Sequence, residues 1–258
     1  MPMKRYDLTD FEWSVIEPLL LNKPRGVPRV DDRRVLNGIM WVLRSGAPWR
    51  DLPERYGPYT TCYNRFNRWR KKGIWDRLMD AIVEAYDGDI QMIDSSSVRV
   101  HQHAAGLKKG GPDRCMGRSR GGLTTKIHTV VDATGLPLRF ALSPGQAHDS
   151  TLAGPLLDDH LPPDSFVLAD KAYDAEWIRA MIEAQDAVPI IPDRSTAKTP
   201  HAFSRDLYRL RNRVERFFNK LKQFRRVATR YEKLAANYLA MIKIATIRIW
   251  LRANESTP

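Results

Sequence analysis

Cysteine is nearly missing from this 258-residue chain: Cys62 and Cys115 are the only two, and they stand far apart. That argues against a disulfide framework or a zinc site built from spaced cysteine pairs. No run approaches the roughly 18 consecutive apolar residues that a bilayer-spanning helix needs. The opening MPMKRYDLTDFEW also lacks the apolar centre of a signal peptide. A cytoplasmic chain with no membrane role is the expectation. Internal repeats and low-complexity tracts are missing too, and 43% hydrophobic with 28% charged residues suits a folded protein rather than a disordered one. Acid is the last shortage: 30 Asp and Glu face 42 Lys and Arg, a formal net charge of +12. A chain that basic points to a polyanionic partner, of which nucleic acid is the most abundant.

The charge is unevenly placed. Residues 1–85 carry 16 basic and 11 acidic side chains, residues 86–196 carry 11 and 15, and residues 197–258 carry 15 and 4. An acidic centre between basic flanks suits carboxylate chemistry served by polyanion-binding arms. The first segment reads as helices. Thr9 and Glu12 have capping-box spacing ahead of Phe11, Val15, Ile16 and Leu19. A second helix is expected from Asp31 or Asp32 to Gly46, and a third, TTCYNRFNRWRKKG, from Thr60 or Thr61. In the third, Tyr63, Phe66, Trp69 and Arg70 line one side, while Arg65, Arg68 and Lys72 form a basic one. Short helices ending in a basic aromatic one resemble a helix-turn-helix, and the plainer reading is a bundle with a solvated basic face.

From about residue 89 the periodicity changes. DIQMIDSSSVRV reads as a strand, and TTKIHTVVDATGLPLRFALSPG as a hairpin turning at Asp132 to Gly135. HDSTLAGPLLDDHL reads as helix, SFVLADKAYD as strand, AEWIRAMIEAQ as helix, VPIIP as a short strand, with long helices from about Ser204. The late alternation predicts parallel strands with helices on the sheet faces. KKGGPDRCMGRSRGG reads as a Gly-rich loop carrying Lys108, Lys109, Arg114, Arg118 and Arg120.

Two acids interrupt apolar strands. Asp94 follows Ile90, Met92 and Ile93, and Asp170 follows Phe166, Val167, Leu168 and Ala169. A carboxylate there needs a cation, a metal or strong donors to offset its desolvation, unless it merely caps the next turn. A third acid, Glu215, is nearly alone: ten Arg or Lys and only Asp206 accompany it between Arg205 and Arg230. On one continuous helix Tyr208, Arg211, Glu215 and Lys222 share a face, with Leu207, Leu210, Val214, Phe217, Phe218 and Leu221 filling much of the rest. That arrangement delivers Glu215 inward from the packed side, or simply pairs it with Arg211 four residues away. Three carboxylates brought together would hold hard divalent cations such as Mg2+. Two such ions about 3.5–4 Å apart serve phosphodiester chemistry, which makes the chain a nuclease candidate.

These residues together resemble the bacterial insertion-sequence transposases of the DDE class, in the branch related to the insertion sequence four and five families. The resemblance rests on Asp94 in QMIDSSSVRV, on Asp170 in VLADKAYD, and on Tyr208, Arg211, Glu215 and Lys222, which reproduce the signature Y-x2-R-x3-E-x6-K; the GQAHDS turn at His148 and Asp149 is similar too. It implies an RNase H-like mixed sheet flanked by helices in residues 87–258, after a helical DNA-binding domain in residues 1–86. It implies Asp94, Asp170 and Glu215 as catalytic metal ligands for Mg2+, with Mn2+ as a substitute, and Tyr208, Arg211 and Lys222 as contacts to terminal DNA phosphates. Only 45 positions separate Asp170 from Glu215, which leaves no room for the large β-rich insertion of some relatives.

The expected function is therefore metal-dependent hydrolysis at element ends followed by strand transfer. The partners are double-stranded DNA, as terminal inverted repeats and target, and a second copy of the chain on that DNA. A DNA nuclease without strand transfer and a DNA-binding regulator are the alternatives. His101 and His103, with His128 or Cys115, lack the second spaced pair that zinc would require, and His148 is expected to order the site, to bind a phosphate, or to cap the following helix. YLAMIKIATIRIWL, with Lys243 and Arg248 inside it, reads as a core helix.

Overall fold

The computed structural model describes residues 6–20, 30–84, 88–106, 114–195 and 201–255. Lys108 and Lys109 lie outside the described residues. The chain divides into two compact units, one of residues 1–85 with 221–258 and the other of residues 86–220. The first part carries helices α1 (Asp10–Ile16), α2 (Asp32–Ser45), α3 (Tyr59–Lys71) and α4 (Ile74–Val83). Then come strand β1 (Ile90–Val100), α5 (Gln102–Ala105), β2 (Gly117–Ser119), β3 (Gly122–Asp132), β4 (Pro137–Pro144) and α6 (Ala153–Leu157). Strand β5 (Phe166–Leu168), α7 (Glu176–Glu183), β6 (Val188–Ile190), α8 (Arg205–Arg209) and α9 (Asn212–Lys222) follow, with α10 (Arg225–Ala228) and α11 (Ala235–Glu255) last. No helix among the described residues is long and apolar enough to cross a membrane.

The helical unit is built where the caps direct it. Thr9 and Glu12 form the expected capping box on α1, and Asp31 caps α2, which stops at Gly46 in the left-handed conformation, φ 77°. Its core takes Val35, Leu36, Ile39 and Leu43 from α2, Phe66 and Trp69 from α3, and Trp75 and Leu78 from α4. The last helix, α11, packs on α1, α2, α3 and α4, which groups residues 221–258 with the N-terminal helices. The expected 87–258 domain therefore shares its last part with the helical unit as the contacts divide the chain. The cause is the apolar run of α11, which supplies Tyr238, Met241, Ile242, Ala245 and Trp250 to the helical core. A buried ion pair closes that contact: Arg248 Nε lies 3.1 Å from Glu12, and its other nitrogens donate to the carbonyls of Tyr6 and Asp7.

Three expectations for α3 change. It starts at Tyr59 behind Pro58, with no Thr60 or Thr61 cap, because proline suits the entry to a helix. Gly46–Pro58 links it to α2, longer than the three- or four-residue turn of a helix-turn-helix. Arg65 is not on a solvated basic face: it is buried, paired with Asp32, and stacked 5.2 Å from the Trp69 ring centre.

In the second unit the strands run in the order β2-β3-β1-β5-β6, with β4 beside β2 on the far edge of β3. The pairs β1–β3 and β3–β4 are antiparallel, while β1–β5 and β5–β6 are parallel. Helices α6 and α7 pack against the strands and each other. Three antiparallel strands continued by parallel ones reached through helices give the RNase H-like mixed sheet. The hairpin turns where expected, because Asp132 Oδ1 accepts from Thr134 N, Thr134 Oγ and Leu136 N, and Gly135 takes φ 83°. A Cβ on Gly135 would stand 3.1 Å from the Arg213 carbonyl, so the turn requires glycine. Within the Gly-rich loop, Gly117–Ser119 form β2, which pairs Arg118 with Leu123. The expected single helix through Tyr208 and Glu215 is instead two, α8 and α9, with Leu210 and Arg211 in the turn between them.

Candidate active site

The parallel pairing of β1 with β5 sets the two strand acids side by side. Met92 is opposite Leu168; Asp94 lies two residues further along β1, and Asp170 two residues past Leu168, just beyond the end of β5. Val167, Leu168, Met92 and Ile93 are fully buried, so both carboxylates emerge at the end of an apolar floor. Burial pushes the Asp94 pKa up to about 6, helped by the charges of Asp170 and Asp149 and opposed by the Ser95 amide and Arg211. Asp170 caps the following turn, its Oδ1 accepting from Ala172 N at 2.8 Å. The turn-capping alternative raised for Asp170 is thus seen.

Arg211 joins the remaining acid to this pair. Its Nη1 lies 3.0 Å from Asp94 Oδ2 and its Nη2 2.8 Å from Glu215 Oε1. Burial alone would lower the Arg211 pKa, but Asp94, Tyr208, Glu215 and Asp170 outweigh it and raise it. Glu215 is not delivered inward as expected. Its side chain is 52% exposed, because Val214, Phe217 and Phe218 take the packed face of α9 and Phe217 stacks on Phe140. The alternative reading of Glu215 is the one seen: it pairs with Arg211 four residues away, and that same guanidinium ties it to Asp94. Tyr208, on the separate α8, has its ring centre 5.9 Å from the Arg211 guanidinium carbon. Lys222 is half-buried at the end of α9, and that burial lowers its pKa.

Three groups at this site escaped the sequence reading. Ser95 presents its hydroxyl to Asp149 Oδ1 at 2.6 Å while its amide donates to Asp94 Oδ1 at 2.7 Å. Lys126 on β3 donates to the same Asp149 oxygen and to the Ala147 carbonyl, each at 2.7 Å. Burial pushes Asp149 upward, but the Lys126 and Ser95 hydrogen bonds overcome it and hold its pKa below the usual range. The HDS turn was the one available signal. Tyr173 is 1% exposed, its hydroxyl has no hydrogen-bond partner among the described residues, and burial together with Asp94, Asp149 and Asp170 holds its pKa well above the usual value. A single tyrosine in KAYD gave no warning of that.

The donor set suits a hard divalent cation, being carboxylate oxygen throughout with a guanidinium standing in as the neutralising charge. The three acids do not converge as they stand. Among the described residues the one set of three acid, His or Cys ligand atoms lying within 4.8 Å of one another is Asp174, Asp193 and His201. That set already holds a cation, since Arg179 lies 2.9 Å from Asp174 and 3.4 Å from Asp193. The histidines raised in sequence serve locally. His148 caps the turn at Asp149–Leu152, and His101 caps α5 with its ring against His103. His128 is buried on Ser143, with burial lowering its pKa to about 4. Of the basic candidates, Arg68, Lys72, Arg118 and Arg120 are exposed, and Arg65 is not.

Residues 85–250 match a family model described as "Transposase DDE domain", and residues 8–79 one described as "Putative transposase of IS4/5 family". The chain is similar to a "Putative transposase for insertion sequence element IS6501" of Brucella ovis, 42% identical over 134 residues, which is 50% of this chain and 100% of that one. It is also similar to a "Putative transposase for insertion sequence element IS402" of Burkholderia cepacia, 33% identical over 54% of this chain and 67% of that one. A solved piggyBac transposase synaptic complex with hairpin DNA aligns over 96% of this chain and 78% of that one, at 11% identity and a TM-score of 0.49.

Proposed function

The chain belongs to the DDE transposases, in the IS4/5 group, and on that premise we propose that Asp94, Asp170 and Glu215 are its catalytic carboxylates. Transposases of this class depend on divalent metal, and Mg2+, with Mn2+ as a substitute, is the ion proposed here. The observation that carries the assignment is the Arg211 bridge. One guanidinium joins an acid at the end of β1 to an acid on α9, while strand register sets Asp170 beside the first. A chance pair of surface acids would have no reason to share a half-buried arginine.

When bound, a pair of divalent cations supplies Lewis acidity that activates an attacking water or sugar hydroxyl and stabilises the departing oxygen. The protein's own residues do the rest. Asp94, partly desolvated and held by the Ser95 amide, is fixed in orientation, and Asp149 with Lys126 fixes Ser95 in turn. Tyr208, Arg211 and Lys222 serve as phosphate contacts near the reacting strand, where guanidinium and ammonium groups offset the repulsion between DNA and carboxylates. Arg68 and Lys72 on α3, and Arg118 and Arg120 at the β2–β3 hairpin, are exposed cations suited to the flanking duplex.

The substrate is double-stranded DNA at the inverted ends of the element, with target DNA as acceptor, in the cytoplasm. Hydrolysis and strand transfer are both in-line displacements at phosphorus, so one site runs them in sequence with the nucleophile changed. Joining two ends calls for two sites, hence a homodimer on DNA. The test supplies labelled element-end duplex, a target plasmid and Mg2+. Cleaved ends and joined products are expected from the unaltered protein, and neither from Asp94→Asn, Asp170→Asn or Glu215→Gln. Cleavage without any joined product would leave a nuclease, and full activity in Asp94→Asn would overturn the assignment.

A further inference from the structure

A guanidinium and a divalent cation cannot use the same carboxylate oxygens at once. Arg211 occupies one oxygen of Asp94 and one of Glu215, and it does so through the two separate Nη atoms of one planar group. As long as it stays, Glu215 is held apart from the strand acids by the width of that group, which accounts for the three acids not closing into one cluster. Nothing in the backbone fixes Arg211 there permanently. It lies in the turn between α8 and α9 rather than inside a helix, its amide bonded to the Tyr208 carbonyl at 3.0 Å, and its side chain is 19% exposed. The Tyr208 ring beside it offers a second surface for the cation once the carboxylates are given up.

We propose that Arg211 is an exchangeable counter-ion: it neutralises Asp94 and Glu215 in the metal-free protein, is displaced by the divalent ion, and moves to a phosphate of bound DNA. This rests on the assignment of Asp94 and Glu215 as metal ligands. Two consequences are quantitative. Metal affinity in the absence of DNA is reduced by the fraction of molecules in which the bridge is closed. DNA that captures Arg211 opens the bridge, so it tightens metal binding, and by reciprocity the metal tightens DNA binding. The site is then held closed to metal until an element end arrives.

The test titrates Mn2+ calorimetrically into the wild-type protein and into Arg211→Gln, Arg211→Lys and Asp94→Asn, each with and without a saturating short duplex at fixed ionic strength, after subtraction of the duplex alone. Without DNA, Arg211→Gln is expected to bind Mn2+ about tenfold more tightly than wild type, as a charge-assisted hydrogen bond of ordinary strength implies. Arg211→Lys, which pairs with one acid at a time, should fall between. The duplex should tighten Mn2+ binding to wild type and have much less effect on Arg211→Gln. Equal or weaker Mn2+ binding by a folded Arg211→Gln overturns the proposal, since a purely structural arginine would leave a looser site. Should that variant fail to fold, the wild-type titrations decide: no tightening by DNA refutes the exchange. Mn2+ binding that survives Asp94→Asn is a different failure, because it places the ion elsewhere and removes the site assignment itself.

Discussion

Replacing Asp94 with asparagine should stabilise the metal-free protein near neutral pH while abolishing its chemistry. Burial lifts the Asp94 carboxyl to about 6 in the folded chain, against about 3.9 for a free aspartate. The folded state therefore holds this proton more tightly than the unfolded chain does, and stability falls as pH rises through the window from about 4 to about 6. Two pKa units correspond to roughly 3 kcal/mol, and the side chain is buried enough that solvent screening removes little of it. Burial of the charge costs more than Arg211 returns, which is the usual balance for a buried pair. Urea unfolding of the sheet unit, followed in chelator at pH 4 and pH 7, reads the difference. Asp94→Asn should match wild type near pH 4 and exceed it by up to about 3 kcal/mol at pH 7. Adding Mn2+ should stabilise wild type and leave the variant unchanged. A variant less stable than wild type at pH 7, or a difference independent of pH, would refute the reasoning.

Other substitutions separate structure from binding. Arg248→Met leaves the fully buried Glu12 with the more distant, half-exposed Arg252 as its remaining cation and should cost about 3 kcal/mol of helical-unit stability, measured by urea unfolding. Arg65→Ala should likewise destabilise, whereas Arg68→Ala with Lys72→Ala should leave the unfolding midpoint in place, weaken duplex binding, and flatten its salt dependence by about two units of slope. Gly135→Ala forces a left-handed backbone on a residue with a Cβ beside the Arg213 carbonyl and should lose about 1–2 kcal/mol.

Much of the architecture was readable because each element announces itself locally. Thr9 with Glu12, Asp31 with Gly46, and the Asp132–Gly135 turn are punctuation that acts over a few residues, and all three sit where the spacing placed them. Asp94 and Asp170 were legible because a charge ending an apolar strand is expensive. The failures share a different cause. Arg65 and Arg68 are indistinguishable in a helical wheel until the position of Asp32 is known. The break at Leu210 and Arg211 carries no glycine or proline, so a continuous helix was the natural reading, and it put Glu215 on the wrong side of the packing. The assignment of α11 to the helical unit depends on a partner more than two hundred residues earlier, which no local signal encodes. Lys126 and Asp149 similarly meet only once β3 and the turn after β4 are folded.

The pairing of Glu12 with Arg248 bears on how the polypeptide emerges from the ribosome. The N-terminal helices are synthesised first, yet an anionic group at their centre has no neutralising partner until α11 has been translated. A nascent product released before that point would carry a stranded charge in its interior and become a substrate for proteolysis, whereas the intervening sheet has all its strands in hand. Premature termination would thus be self-limiting: fragments ending before α11 would be removed before they accumulate.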